Sequence, residues 1–205
     1  NTKIGVSAQG SLTTGKTNTA VGSSSQSSVT SAIANTAVGA RTQLALTTGI
    51  GNTAVGAYSQ IGVTTGNSNT AVGSSSQVAL TIGNANTAVG TASQTALTIG
   101  TYNTAIGSWS QTAMTDGSRN TAIGSYAQYL LTTGSYNTCI GSNAGYDITS
   151  GSNNTIIGSA YGTASMSNNV ILATSDTAGV IVAQHNATDW EMKGALFQNV
   201  VVGAT

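Results

Sequence analysis

Asn103-Thr104-Ala105-Ile106-Gly107 decides how the chain is read, because the same pattern returns every seventeen residues. Asn opens a copy at Asn1, Asn18, Asn35, Asn52, Asn69, Asn86, Asn103, Asn120, Asn137 and Asn154, with no insertion or deletion between them. Thr holds the second place and Gly the fifth in all ten copies, and the fourth is always Val or Ile. A period this strict, kept for about 170 residues, is the mark of a stacked-coil architecture.

Extended in both directions, one repeat reads N-T-A-V-G-x-x-S-Q-x-A-L-T-T-G-x-x. It holds two short β-type runs: Thr-Ala-Val, closed by the invariant Gly, and Ala-Leu-Thr-Thr, closed by a second Gly such as Gly49, Gly66 or Gly83. Alternation at period two puts the Thr and Val of the first run on one face, and the Leu and second Thr of the other run likewise. Two strands and two corners predict one coil of an all-β parallel β-solenoid or β-roll. Coils ~4.8 Å apart would make a rod of about 50 Å from ten repeats.

Like residues then stack on like. The Asn column predicts a side-chain amide ladder at a corner, structural rather than a binding site. The third-position column (Ala20, Ala37, Ala54 and on to Ala122) is interrupted by Lys3, Cys139 and Ile156 alone. Pointing away from the Val face, it predicts a close-packing stripe between chains, in pairs or in threes.

Composition fits a thin core. Among 205 residues there are 26 Gly, no Pro, one Phe and two Trp, too little bulk for a thick globular interior. At roughly 25 cal/mol per Å² of buried apolar surface, each coil needs added area from neighbouring coils or partner chains. Five basic and five acidic residues give a net charge of zero, hence no electrostatic footprint for nucleic acid. No apolar run is long enough for membrane insertion. A chain that starts at Asn1 without a visible signal peptide reads as a fragment, a processed product or the ordered part of something longer. Cys139, the sole cysteine, reads as a small buried side chain, with no intrachain disulfide and no metal cage.

The repeat drifts toward both ends. Position 32 lacks the usual Gly, Gly145 and Gly162 replace the Gln of the ninth place, and Ser165 stands where Leu is expected. Periodicity lapses near Asn168-Asn169, which divides the chain into a shaft (1–168) and a C-terminal β module (169–205). Three longer strands are predicted in that module, at 170–173, 179–183 and 197–202. Such a module caps a stack whose open end is an unpaired edge.

No catalytic constellation is present, so the chain reads as non-enzymatic, with no cofactor. There is one histidine, His185, and no carboxylate pair lies within the repeats. Asp189 and Glu191, with His185, read as solvated cap charges, or as cation ligands on a three-fold axis. The aromatics are more informative. Trp109 and Tyr126 share the seventh position one coil apart, and Tyr102, Arg119 and Tyr136 share the seventeenth in three successive coils. A Tyr-Arg-Tyr stack follows. These five residues read either as cross-coil stacking that stiffens the rod, or as a glycan-binding flank. The thirteenth position is Thr in nine of ten copies, a ladder like that of ice-binding solenoids, but without a repeated Thr-x-Thr.

Asn-Thr-Ala-Ile-Gly, with Thr132-Thr133-Gly134-Ser135-Tyr136-Asn137-Thr138, resembles the repeats of bacteriophage tail-fibre proteins and related bacterial surface fibres. The Ala-Val-Gly or Ala-Ile-Gly core is also similar to the heads of YadA-like trimeric adhesins, whose repeat is shorter. The resemblance covers 1–168, and the run 168–179 is similar to segments that follow such repeats in phage fibres. It implies a homotrimeric, extracellular fibre at a virion or bacterial surface, giving reach and multivalent attachment to a cell-surface glycan or receptor. The adhesin version implies a head that binds glycan or matrix.

Overall fold

β-Branched residues favour extended backbone, so each repeat forms a strand where Thr and Val or Ile flank the third residue. The computed structural model describes residues 1–175, 181–185 and 190–193, the last two segments through their backbone pairing alone. Ten strands come from the ten repeats: β1 (Thr2–Ile4), β2 (Thr19–Val21), β3 (Thr36–Val38), β4 (Thr53–Val55), β5 (Thr70–Val72), β6 (Thr87–Val89), β7 (Thr104–Ile106), β8 (Thr121–Ile123), β9 (Thr138–Ile140) and β10 (Thr155–Gly158). They pair in parallel and in register, so that Thr87 faces Thr104, Ala88 faces Ala105 and Val89 faces Ile106. An eleventh strand, β11 (Asn169–Ala173), adds to the stack in parallel. The result is an all-β solenoid of about ten turns.

Only one of the two expected strands per coil forms. The Ala-Leu-Thr-Thr run is turns and bends, although its backbone still stacks: the Thr47 N–H donates to Thr64 O at 3.0 Å. The cause lies in the corners. Positions seven, nine and seventeen are left-handed in most coils, as at Trp109 (φ 61°), Gln111 (φ 49°) and Arg119 (φ 58°). These bends turn the chain too tightly for a second extended run. A left-handed non-glycine residue costs roughly 1–2 kcal/mol, so the stacked interior must offset it.

That interior also overturns the expected role of the Ala column. Ala88, Ala105 and Ala122 are completely buried inside the coil, whereas the Val and Ile of the fourth position face outward. The lumen explains the choice. Leu97, Gln94 and Asn103 already reach into it and are fully buried, which leaves a methyl's room beside the strand. Where the Gln column ends at Gly145, the third position enlarges to Cys139. A Cβ on Gly145 would stand 2.6 Å from Cys139 Sγ, so one side chain has taken the other's space.

Buried amides must find partners, and here they find one another. Gln43 Nε2 donates to Gln60 Oε1 at 2.9 Å, Gln60 to Gln77 at 3.0 Å and Gln77 to Gln94 at 2.9 Å. The Gln ladder ends with Gln128 Nε2 donating to Thr121 O at 3.3 Å. The Asn ladder runs the other way: Asn86 Nδ2 donates back to Asn69 Oδ1 at 3.2 Å and to Gly100 O at 2.7 Å. Asn86 Oδ1 in turn accepts from the Asn103 backbone N–H at 3.0 Å. Among the described residues no buried side-chain nitrogen or oxygen lacks a partner. The Asn column is structural, as its spacing predicts.

The tenth coil is two residues short. The Asn169 N–H donates to Asn154 Oδ1 at 3.1 Å across a spacing of 15, where every other rung uses 17. Beyond the stack, β12 (Ile181–His185) pairs antiparallel with β11, and β13 (Trp190–Lys193) pairs antiparallel with β12. The change from parallel to antiparallel therefore falls after Ala173, past the point where the period lapses. The expected strand at 197–202 lies outside the described residues, as do Asp189 and the side chains of His185 and Glu191.

Candidate functional site

With the lumen filled, anything the shaft touches must meet its outer faces. The flat face of the sheet carries the fourth-position column: Val38, Val55, Val72, Ile106, Ile123 and Ile140 are each 37–40% exposed. Thr of the second position is half-buried beside it on every strand from β2 to β10. Aliphatic side chains standing at strand spacing along the length of a rod are an unusual solvent face.

The two corners bounding this face carry the aromatics. At the seventeenth position, Arg119 lies between two rings, its guanidinium carbon 5.7 Å from the Tyr102 centroid and 5.3 Å from that of Tyr136. Arg119 Nη1 also donates to the Tyr136 hydroxyl. The expected Tyr-Arg-Tyr stack forms, and all three members are exposed. A cation sandwiched on an exposed corner is worth about 0.5–1 kcal/mol per ring.

Trp109 and Tyr126 occupy the seventh position, just after the glycine that ends the strand, and so sit at the opposite corner from Tyr102, Arg119 and Tyr136. The five residues thus fall into two groups. Tyr126 turns to other partners: its ring lies 5.5 Å from that of Tyr129, edge-on, and 6.4 Å from that of Tyr146.

Tyr129 and Tyr146 hold the tenth position in successive coils and stack at 5.1 Å with their planes 16° apart. Tyr161 continues the column, 5.7 Å from Tyr146, although simple counting places it two positions earlier. The short tenth coil brings it there: the Asp147 N–H donates to Tyr161 O at 3.1 Å, as the Leu130 N–H does to Tyr146 O. Tyr126, Asn143, Tyr146 and Tyr161 line an open cleft of about 520 Å³. Counting by seventeen missed this cluster. The available signal was the earlier restart at Asn169.

Cys139 is fully buried in the lumen, and burial pushes its thiol from 9.0 up to about 12, against a smaller lowering by its hydrogen bond with Gln128. The folded state therefore favours the neutral thiol. Its contribution to stability is complete below about pH 9 and declines as pH rises from there toward 12. We expect no alkylation of Cys139 by iodoacetamide at pH 8 in the native protein, and complete alkylation in denaturant. Ready modification of the folded protein would contradict the burial.

Among the described residues no three His, Cys, Asp or Glu side chains gather to hold a cation, and no helix is long and apolar enough to cross a membrane. No family model, curated protein or solved structure matches the chain.

Proposed function

We propose that the chain is the shaft of a non-enzymatic extracellular fibre, in which three copies pack along their length through the Thr and Val/Ile face. It gives reach and multivalent attachment at a cell surface. The observation that carries this reading is the uninterrupted column from Ile4 to Leu172 on one flat face, aliphatic at every rung. Strand propensity alone would be met as well by Thr, which is β-branched and polar, so an aliphatic residue at every rung favours a covered face. Completing the burial of such a side chain contributes of order 1 kcal/mol per rung, and the rungs add along the rod.

The repeat's resemblance to tail-fibre and surface-fibre proteins supports the three-fold arrangement and the extracellular setting. Three copies on one axis multiply a weak surface contact into avidity. The interface assigned here differs from the one the Ala column suggests, because that column is consumed by the lumen.

Sedimentation equilibrium tests the reading. The expected mass is three times 20.2 kDa, about 60.6 kDa. Ile106→Lys and Val72→Lys together place two charges in each chain's contribution to the interface and are expected to shift the mass toward 20.2 kDa. A wild-type protein that sediments as a single chain at micromolar concentration would overturn the proposal.

A further inference from the structure

The tyrosine cleft is not needed to hold the rod together. Coils one to seven stack without aromatic columns at the tenth position, where they carry residues such as Ile61, Val78, Thr95 and Thr112. Tyrosine arrives there only in coils eight to ten, as Tyr129, Tyr146 and Tyr161. The shortened tenth coil sets the third ring on the column.

We infer that this cleft is a binding site for a neutral carbohydrate, with the Tyr146 and Tyr161 rings as stacking platforms and Tyr126 as a side wall. The chemistry of the lining matches such a ligand. A pyranose offers an apolar C–H face to stack on a ring and hydroxyls around its rim that both donate and accept hydrogen bonds. The cleft supplies both kinds of partner: three rings, whose phenolic hydroxyls donate and accept, and the half-buried Asn143 amide. Among the described residues its lining carries no charged side chain, which favours a neutral sugar over a sialylated or phosphorylated one. The rings are splayed rather than parallel, Tyr126 standing at 47° and Tyr161 at 38° to Tyr146, so a sugar meets more than one aromatic face. The volume of about 520 Å³ is that of a small-molecule site, ~300–1,000 Å³.

Asn143 is suited to its place twice over. Its φ of 58° is left-handed, which asparagine tolerates better than most residues, and it replaces the bulky Tyr126 and Trp109 of the two coils before it. The smaller side chain opens the space that the rings surround.

The biological use of this site rests on the surface-attachment reading, but its chemistry lies within one chain. The test is an array of neutral oligosaccharides (glucans, mannans, galactans and chitooligosaccharides) probed with the full chain, followed by titration calorimetry on those retained. At least one should bind. Tyr146→Ala and Tyr161→Ala should each weaken it about tenfold or more, Asn143→Gly several-fold with the backbone geometry kept, and Tyr102→Ala not at all. Should the alanine variants melt early, Tyr146→Phe keeps the stack and removes one hydroxyl; its affinity should fall while its melting temperature does not. The proposal is overturned if no neutral oligosaccharide binds, or if binding survives Tyr146→Ala. The doubly substituted Val72→Lys, Ile106→Lys chain should keep the affinity per chain. A monomeric wild-type protein that still binds would therefore sink the fibre reading and leave this site standing.

Discussion

Gly90→Ala is expected to destabilise the solenoid by about 4 kcal/mol. Two penalties combine. Gly90 has φ +135°, a region open to glycine and almost closed to other residues, and an added Cβ would stand 2.5 Å from Gly107 O and 2.6 Å from its carbonyl carbon. Neither atom can retreat, because the next coil fixes the Gly107 backbone and the coil after that fixes its own. Gly10→Ala is the control. That glycine is not left-handed, and its nearest atom would be Ser27 O at 3.4 Å, so the change should stay within about 0.5 kcal/mol. Urea unfolding followed by far-UV circular dichroism reads both. Equal midpoints for the two variants would show that the coils do not press on one another as described.

Asn86→Ala should cost about 3 kcal/mol, through hydrogen bonds rather than volume. The side chain donates to Asn69 Oδ1 and Gly100 O, and accepts from the Asn103 backbone N–H and from Asn103 Nδ2 at 3.1 Å. Removing it strands the Asn103 N–H and the Gly100 carbonyl in a dry lumen, where each unsatisfied group carries the desolvation penalty in full. Hydrogen exchange should locate the damage, with Asn103 losing protection first. A ladder member that could be replaced by alanine at under about 0.5 kcal/mol would mean that water enters the corner, and that the interior is not the closed amide column described above.

Much of this was legible in the letters. An unbroken spacing of seventeen fixes which residue sits on which, and parallel register, the Asn ladder and the Tyr102-Arg119-Tyr136 stack all follow from it. What the spacing could not settle was inside from outside. The third and fourth positions are both apolar, and alternation says only that they point opposite ways. The decision rests on how much lumen remains after Asn, Gln and Leu have entered, which depends on the curvature of the corners. One pairing in the sequence did carry that information: where Gln becomes Gly145, Ala becomes Cys139. A third-position residue that grows when a ninth-position residue shrinks must share a cavity with it.

The second strand failed for a related reason. Ala-Leu-Thr-Thr has β propensity, but left-handed residues at positions seven, nine and seventeen leave the return path too tightly turned, and propensity yields to closure of the coil. Gln, Trp and Arg in left-handed backbone give no sequence warning, unlike Gly or Asn. The tyrosine cleft was hidden by strict counting. Ser167-Asn168-Asn169-Val170-Ile171 echoes Ser152-Asn153-Asn154-Thr155-Ile156 at a spacing of fifteen, and reading that echo as a shortened coil aligns Tyr161 with Tyr146.

Seventeen residues make one interchangeable rung of the solenoid. Deleting 69–102, two whole repeats, joins Ser68 to Asn103 and leaves every column intact. The measurement is the maximum dimension by small-angle X-ray scattering, for the full chain and for the shortened one. The expected result is a cooperatively folded rod shorter by about 10 Å, two strand spacings. A shortened chain that unfolds, or one whose length is unchanged, would contradict it.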